Sequence, residues 1–197
     1  ASIVAMVERL SDWTVWGAVI SPGASCRRHK PARVLGFDAD LPRLAAQADG
    51  VLIAVGQIED PMPRMRLFER LCALNAHLPT LVADNASVAS TASLGRGTVV
   101  MQQALVNAFA RVGDDCIVNS QALIEHDVEV GDHCHISTGA RINGDAHIGN
   151  RCFIGSGAVI GQGVRICDDT VIGAGSVVIR DIKEPGVWVG NPARRVK

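Results

Sequence analysis

One histidine lies between two carboxylates, in Glu125-His126-Asp127, and this segment is well suited to moving protons. An imidazole changes its charge near neutral pH, so it can accept a proton from an attacking group and later release it. A carboxylate bonded to one ring nitrogen would fix the tautomer and raise the basicity of the other nitrogen. The competing interpretation is a solvated histidine at an exposed corner. The elements around residue 126 decide between the two.

Those elements are predicted to be short strands, because an aliphatic residue recurs at every sixth position without an insertion. The series is Val88, Leu94, Val100, Val106, Val112, Val118, Ile124, Val130, Ile136, Ile142, Ile148, Ile154, Ile160, Ile166, Ile172 and Val178. Four positions after each of these, the residue is mostly small, as at Cys116, Ala122 and Ala140. This hexapeptide repeat predicts a β-helix shaped as a triangular prism, in which each repeat supplies one strand and one corner.

In such a prism, residues 18 positions apart stack on successive coils, with the ~4.8 Å spacing of neighbouring strands. His126 then lies at a corner and points outward, and Gly144 stacks directly on it. A glycine there leaves a backbone N–H open to a developing oxyanion, although glycine is also a common turn residue. Cys116, Cys134 and Cys152 are 18 apart, so we expect an inward ladder of small core residues.

The residues before the repeat have a different pattern, in which helix-like and strand-like segments alternate. We predict a helix over 1–10, a strand over 15–20, a short helix over 40–48 and a buried strand over 51–55. A further helix begins near Asp60-Pro61 and ends before Pro79, with an apolar stripe at Met65, Leu67, Phe68, Leu71 and Leu74. The alternation implies a small α/β unit with a mostly parallel sheet. We expect this unit to cover one end of the β-helix and residues 181–197 the other.

Composition and charge argue against several classes of function. The chain has 19 Lys and Arg against 20 Asp and Glu, with no Tyr, 4 Phe and 3 Trp, which disfavours nucleic acid as the main ligand. No apolar run approaches the ~18 residues of a membrane span, and no signal segment opens the chain. The six cysteines include no C-x-x-C pair. We therefore expect a cytoplasmic protein with reduced thiols.

The aliphatic-glycine pairs of the repeat, such as Val130-Gly131 and Ile148-Gly149, resemble the bacterial hexapeptide-repeat acyltransferases. The resemblance narrows to the family of sialic acid O-acetyltransferases (NeuD) and bacillosamine-pathway sugar N-acetyltransferases (PglD). It rests on the preceding α/β unit and on four segments: Ile117-Val118-Asn119-Ser120, Leu123-Ile124-Glu125-His126-Asp127, Val130-Gly131-Asp132-His133-Cys134-His135-Ile136-Ser137 and Gly190-Asn191-Pro192-Ala193-Arg194. It covers nearly the whole chain and is strong from about residue 84 onward.

The resemblance implies an α/β N-terminal Rossmann-like subdomain over residues 1–82, which binds the sugar nucleotide. Next comes a left-handed parallel β-helix over 83–182, which binds acetyl-CoA. The chain ends in a C-terminal tail over 183–197. Family members begin with a strand and a glycine-rich loop, and we expect both to be missing here. Residues 26–30, Cys-Arg-Arg-His-Lys, follow the place where the family has acidic residues, which leaves the nucleotide carrier open.

The resemblance also implies a homotrimer with active sites between neighbouring β-helices. It makes His126 the general base, with Asp127 or Glu125 as its orienting partner. Asn119 and His135 match positions that contact acetyl-CoA or line the active site, and we add Gly144 to them. Direct attack on the thioester is expected, because no cysteine or serine is suitably placed to take the acetyl group first. Arg194, Arg195 and Lys197 either approach the CoA phosphates or form a solvated tail.

Several alternatives remain open. Our first choice of acceptor is a 4-amino nucleotide sugar for bacterial surface glycans; a sialic-type hydroxyl is second, because the segment Ile142-Asn143-Gly144-Asp145 also resembles that branch. A non-catalytic structural protein would need only the aliphatic repeat. Zinc is a further possibility, given His126, His133, His135 and His147. Hexapeptide-helix carbonic anhydrases use a pair of histidines five residues apart, and no two of these four have that spacing, so we predict no metal.

Overall fold

Most of the chain is a β-helix in the computed structural model, which describes residues 2–20, 33–58 and 60–197. Its strands form three sheets, one on each face of a prism. The first face contains Leu81–Val82, Val99–Val100, Ile117–Val118, His135–Ile136, Phe153–Ile154 and Thr170–Ile172. The second contains Ser87–Val88, Leu105–Val106, Leu123–Ile124, Arg141–Ile142, Val159–Ile160 and Val177–Val178. The third contains Ser93–Leu94, Arg111–Val112, Glu129–Val130, His147–Ile148 and Arg165–Ile166.

The register of the coils follows the repeat. Leu123 pairs with Arg141 and Ile124 with Ile142, so residues 18 apart are neighbours in a parallel ladder. The second residue of each such strand points into the prism, and Ile124, Ile142 and Ile160 are fully buried. Burying a large aliphatic side chain stabilises the fold by about 1.5–3 kcal/mol. The predicted hexapeptide β-helix is confirmed.

The chain turns at three corners in each coil. We call the corner between the first and second faces the first corner, the one after the second face the second corner, and the one after the third face the third corner. Corner residues adopt the left-handed conformation, as at Gln121 (φ 61°), Asp127 (φ 60°) and His133 (φ 56°). At the third corner, the carboxylate of Asp132 accepts the N–H of Asp114 at 2.7 Å. Neighbouring coils are therefore joined by side chains as well as by strands.

The stacked cysteines lie inside the prism. Cys116, Cys134 and Cys152 are fully buried, and the N–H of Cys134 donates to Cys116 Sγ at 3.4 Å. Burial raises the pKa of the Cys134 thiol, which keeps it protonated. The five cysteines in the described ranges are free thiols, and Cys26 lies outside those ranges. The prediction of small core residues is confirmed.

The N-terminal part is a small α/β unit. It contains α1 (Ser2–Val7), β1 (Ala18–Ile20), β2 (Val34–Phe37), a 3₁₀ turn (Asp38–Asp40), α2 (Leu41–Ala45) and α3 (Met62–Ala73). Strands β1 and β2 are parallel. The helices predicted over 1–10, over 40–48 and after Asp60 are present, with Ala1 outside the described ranges. The strand predicted over 15–20 is shortened to β1. The basic segment over 26–30 lies outside the described residues, and β2, which contains a glycine, was not predicted.

The predicted strand over 51–55 is wrong. Within the described ranges this segment joins no sheet, and the Val51 N–H donates to the His77 carbonyl at 2.9 Å. The guanidinium of Arg64 donates hydrogen bonds to the carbonyl of Ile53 at 2.7 Å and to the carbonyl of Val55 at 3.0 Å. In a sheet, these carbonyls would accept hydrogen bonds from the N–H groups of a neighbouring strand. Here the Arg64 side chain supplies those hydrogen bonds instead.

Both ends of the β-helix are covered, as predicted. Met6 and Val7 of α1 pack with Leu81 and Val99 at the first coil. At the other end, Gly186–Val189 adds a parallel strand to the first face, and Arg194–Arg195 returns antiparallel to it. No helix in the described ranges is long and apolar enough to cross a membrane. The subdomain limits at residues 82 and 182 stay a prediction.

Candidate active site

The second corner brings together His126 and Asp127. Asp127 adopts the left-handed conformation, and its Oδ2 lies 2.8 Å from Nδ1 of the adjacent imidazole. A carboxylate only accepts, so Nδ1 carries the proton and Nε2 keeps its lone pair. The His126 side chain is 54% exposed. The hydrogen bond to Asp127 raises the pKa of His126, and the charges of Asp127, Glu125 and Asp145 act in the same direction.

Glu125 has a different task. Its Oε2 accepts the backbone N–H of His126 at 3.2 Å and the side-chain amide of Asn107 at 2.9 Å. These bonds connect the corner to the coil below it. The carboxylate of Glu125 therefore does not contact the imidazole ring, whereas that of Asp127 does. Of the two carboxylates that the sequence offered as orienting partners, Asp127 is the one that contacts the ring.

Gly144 lies directly over the imidazole, one coil above. A Cβ added to Gly144 would be 2.7 Å from Cε1 and 2.8 Å from Nε2 of His126, which is closer than real Cβ atoms come. The Gly144 backbone therefore borders the ring nitrogen that is free to accept a proton. The stacking predicted from the 18-residue spacing is present.

Among the described residues, the N–H of Gly144 lacks the side-chain acceptor that the corresponding N–H has in each of the two coils below. At the same corner, Asn107 Oδ1 caps the N–H of Ala108 at 2.8 Å. Asn143 precedes Gly144, but its side-chain amide instead donates to the carbonyl of Ile160 at 2.8 Å. Among the residues that the structure describes, none accepts the Gly144 N–H. The site thus combines a proton acceptor with an unpaired hydrogen-bond donor.

Asn119 and His135 lie together elsewhere, where the first face meets the first corner. The Asn119 amide Nδ2 is 3.1 Å from His135 Nε2, and Nδ1 of the same ring donates to the carbonyl of Gln57. The ring is therefore the Nδ1–H tautomer, and Nε2 is already used by Asn119. Only 8% of His135 is exposed. This burial lowers the pKa of His135, so the ring is neutral at pH 7.

A buried polar network surrounds His135 and joins the α/β unit to the β-helix. Arg64 of α3 forms an ion pair with Asp115 at 2.8 Å, and both side chains are fully buried. The other carboxylate oxygen of Asp115 contacts Nδ1 of His133 at 3.0 Å. Gln57 donates its side-chain amide to the His133 carbonyl at 2.9 Å. We call Gln57, Arg64, Asp115, His133 and His135 the junction network.

The predicted site residues thus form two groups. His126, Asp127, Glu125 and Gly144 share the second corner, whereas Asn119 and His135 lie on another edge of the same prism. The sequence analysis missed Gln57, Arg64 and Asp115. An arginine beside the apolar stripe of α3 was the one available signal, and the contacts of Gln57 join residues 76 and 78 positions apart. Within residues 2–20, 33–58 and 60–197, no three His, Cys, Asp or Glu side chains are grouped as a metal would require.

The known proteins most relevant to this geometry are bacterial transferases. The family model described as bacterial transferase hexapeptide (six repeats) matches residues 109–144 and 145–180. PerB from Caulobacter crescentus, solved with CoA and GDP-perosamine, is 32% identical, with 85% of this chain and 80% of PerB covered and a TM-score of 0.79. The chain belongs to the hexapeptide-repeat sugar acetyltransferases.

One further structure supports the acetyltransferase activity, and another supports the fold alone. The acetyltransferase domain of PglB from Neisseria gonorrhoeae FA1090 is 29% identical, with 99% of this chain and 92% of that domain covered and a TM-score of 0.85. WeeI from Acinetobacter baumannii AYE shares the fold at 21% identity, with 99% and 92% covered and a TM-score of 0.75. No protein of curated function matches the sequence. The acetyltransferase is built on a left-handed parallel β-helix, as the resemblance implied.

Proposed function

We propose that this acetyltransferase transfers the acetyl group of acetyl-CoA to the amine of a 4-amino nucleotide sugar, with His126 as the general base. The observation that carries the proposal is the arrangement at the second corner. There Asp127 binds one nitrogen of an exposed imidazole, and the other nitrogen borders the backbone of Gly144, whose N–H has no acceptor among the residues that the structure describes. A base and an oxyanion donor are the two groups that aminolysis of a thioester requires.

In the proposed reaction, the sugar amine attacks the thioester carbonyl carbon and a C–N bond forms. Nε2 of His126 takes a proton from the amine as its nitrogen becomes positive. The Gly144 N–H donates to the carbonyl oxygen while that oxygen carries negative charge. The C–S bond then breaks, and the imidazolium returns the proton to the sulfur of CoA. Asp127 stabilises the imidazolium in between.

The acceptor class is supported by the relatives. PerB was solved with CoA and GDP-perosamine, the nucleotide-linked form of an amino sugar, and it is 32% identical to this chain. The α/β unit is the part that would present the acceptor. The junction network fixes it to the third corner and first face of the β-helix, so its position relative to the coils is defined. Nothing in the structure favours a sialic-type hydroxyl over the amine.

We also propose that two copies of the chain build each active site, within a homotrimer. In one chain, the His126 corner and the Asn119–His135 pair occupy different edges of the prism. Two prisms packed side by side bring the second corner of one against the first corner of the next. Asn119 would then contact the acetyl-CoA that a neighbour's His126 acts on, while His135 holds the Asn119 amide in place.

The test is a turnover assay with a product readout. Acetyl-CoA is supplied with a UDP-linked 4-amino sugar, GDP-perosamine or free sialic acid, and the gain of one acetyl group is measured by mass spectrometry. A thiol dye would be confounded by the six cysteines. We expect the amino sugars to be acetylated, and His126→Ala to lose about 10²–10⁴-fold in kcat. His77→Ala, which removes an exposed histidine of the α/β unit, is the matched control.

Two results would contradict the proposal: acetylation of sialic acid alone, or full activity of His126→Ala. The shared active site has its own test. His126→Ala and Asn119→Ala chains, each inactive alone, are unfolded together and refolded as mixed oligomers. Recovery of activity in the mixture supports a site made from two copies, whereas its absence in a confirmed mixed trimer contradicts it.

A further inference from the structure

In the hexapeptide repeat, four residues with an amide or carboxylate side chain directly follow a strand, where the chain enters a corner: Asn107, Asn119, Glu125 and Asn143. The first three place a side-chain oxygen on the backbone N–H of the next residue. The distance is 2.8 Å for each of the first two asparagines and 3.2 Å for Glu125. In the described part of the chain Asn143 is the exception, because its side chain makes no hydrogen bond to the N–H of Gly144.

The next coil explains why Asn143 differs. Glu125 stands one coil above Asn107, and its carboxylate accepts the Asn107 amide at 2.9 Å. The residue one coil above Asn143 is Gly161, which has no side chain to offer. Nδ2 of Asn143 donates instead to the backbone carbonyl of Ile160 at 2.8 Å. The same carbonyl accepts the backbone N–H of Asn143 at 3.1 Å, so main chain and side chain are held on one oxygen.

The orientation of this amide decides the state of the Gly144 N–H. If Asn143 capped it as Asn107 caps Ala108, the donor would already be occupied, and an oxyanion would have to displace the cap. Donors stabilise a developing charge best when they are in place beforehand, since no rearrangement is then needed during the reaction. The side chain that could occupy the donor is directed to Ile160 instead.

We propose that Asn143 is a positioning residue for the transfer reaction: it keeps the Gly144 N–H open to the thioester oxygen, because Gly161 leaves its amide no side-chain partner on the next coil. The inference rests on the proposed function, in which Gly144 is the oxyanion donor. Asn143 touches neither the substrate nor the reacting atoms in this role. It acts through the group that it leaves free.

A first test compares two substitutions at Asn143, with kcat and KM measured for an amino-sugar acceptor. In Asn143→Asp, a carboxylate cannot donate to the Ile160 carbonyl, and it can accept from the adjacent Gly144 N–H. We expect kcat to fall about 10²–10³-fold, with little change in the KM of the acceptor. Asn143→Ala removes the hydrogen bond and leaves the donor open, so kcat should fall less than about tenfold. Asn85→Asp, the same change at an exposed corner of the first coil, should act as the wild type does.

A second test caps Gly144 without adding charge. Gly161→Gln recreates the pairing of Asn107 with Glu125, so the Asn143 amide should turn and its oxygen should cap Gly144. We expect kcat to fall about 10–100-fold. Gly161→Ala is the matched variant: it adds the same Cβ, 3.1 Å from the Val178 carbonyl oxygen, without an acceptor. In the double variant Asn143→Ala/Gly161→Gln no amide remains to turn, so kcat should return to that of Asn143→Ala.

A spectroscopic readout observes the cap itself. In ¹⁵N-glycine-labelled protein, the Gly144 amide is identified by its absence from the spectrum of Gly144→Ala. Its proton should shift downfield in Asn143→Asp and Gly161→Gln, because hydrogen bonding to an oxygen deshields an amide proton. Thermal melting of the same samples shows whether the fold is kept.

Three results would overturn the role of Asn143. The first is an unshifted Gly144 amide in both capping variants, and the second is an Asn143→Ala variant that loses as much kcat as Asn143→Asp. The third is a shifted amide with wild-type kcat, which would also remove Gly144 as the oxyanion donor. Failure of the wild type to acetylate any amino sugar would refute the proposed function itself, which no comparison among the variants can do, so the two failures are distinguishable.

Discussion

His126 and His135 are the same residue type nine positions apart, yet the fold treats them in opposite ways. His126 lies on an exposed corner beside Asp127, which raises its pKa. His135 lies under the α/β unit against Gln57, where burial lowers its pKa. The first keeps Nε2 free for a proton, and the second has both nitrogens occupied. An exposed ring with a carboxylate partner is suited to catalysis, whereas a buried neutral ring is suited to holding other groups in place.

The same contrast extends to the surroundings of each ring. The junction network is buried and joins two parts of the chain, so breaking it should mainly cost stability. The side chains of His126 and Asp127 at the second corner are exposed and lie outside the core, so changing them should mainly cost activity. Substitutions at the two regions can therefore separate folding from chemistry.

The largest stability effect should come from Arg64→Met. The substitution removes the guanidinium and leaves the fully buried carboxylate of Asp115 without its partner. An uncompensated buried charge of this kind costs about 3–5 kcal/mol in the free energy of unfolding. Chemical denaturation measures it, with Arg66→Met on the exposed side of α3 as the control, which should change stability by less than about 0.5 kcal/mol. Similar losses in the two variants would show that the junction is not a buried ion pair.

The next effect concerns the second corner. Gly144→Ala places a methyl group where the imidazole of His126 lies, so the exposed ring must move away from the Gly144 N–H. We expect kcat to fall about 10²–10³-fold, as when an oxyanion donor is lost, with nearly unchanged stability. Steady-state kinetics and thermal melting check both. Gly56→Ala, where an added methyl group meets open space, is the control. A fall in stability without a fall in kcat would place Gly144 among the structural glycines.

Asp127→Asn should change the pH profile. A general base acts when neutral, so kcat/KM of the wild type should rise with pH through a His126 pKa above its ordinary 6.5. Without the carboxylate that pKa falls, so the acid limb moves to lower pH. The plateau should drop about 10–100-fold, because a charge-assisted hydrogen bond no longer stabilises the imidazolium.

Asp145→Asn is the control for this experiment. Its carboxylate affects the pKa of His126 through charge alone and is the weakest of the contributions. We expect a smaller shift of the acid limb and an unchanged plateau. An acid limb that stays in place in Asp127→Asn would assign the titration to a group other than His126.

The smallest effect is spectroscopic. In ¹⁵N NMR of the histidine rings, His135 should be the Nδ1–H tautomer and stay neutral below pH 6.5, while His126 titrates above that value. Gln57→Ala removes the amide that ties its segment to the β-helix, so water should reach His135 and its pKa should rise toward 6.5. Activity should fall less than about tenfold. If His135 of the wild type titrated at the ordinary histidine pKa, the proposed difference between the two histidines would be refuted.

The sequence predicted the repeat and the stacking of Gly144 on His126 correctly, because both follow from a fixed period. Each coil uses 18 residues, so a short-range pattern determines which residues become neighbours. The α/β unit was harder to predict. Its segment over 51–55 has the apolar composition of a strand, but Arg64 binds the carbonyls of Ile53 and Val55. A contact of this kind has no periodic signature.

By itself, then, the sequence determined the prism, the corner that carries His126 and the inward cysteine ladder, since these depend only on residue size and spacing. Tertiary structure alone decided that Asp127 and not Glu125 contacts the imidazole, that the Asn143 amide donates to the Ile160 carbonyl and does not cap Gly144, and that Gln57 covers His135. These outcomes depend on side-chain direction and on contacts between distant segments. The period of the chain fixes the positions of backbone atoms, whereas the competition among nearby donors and acceptors sets the chemical state of each group.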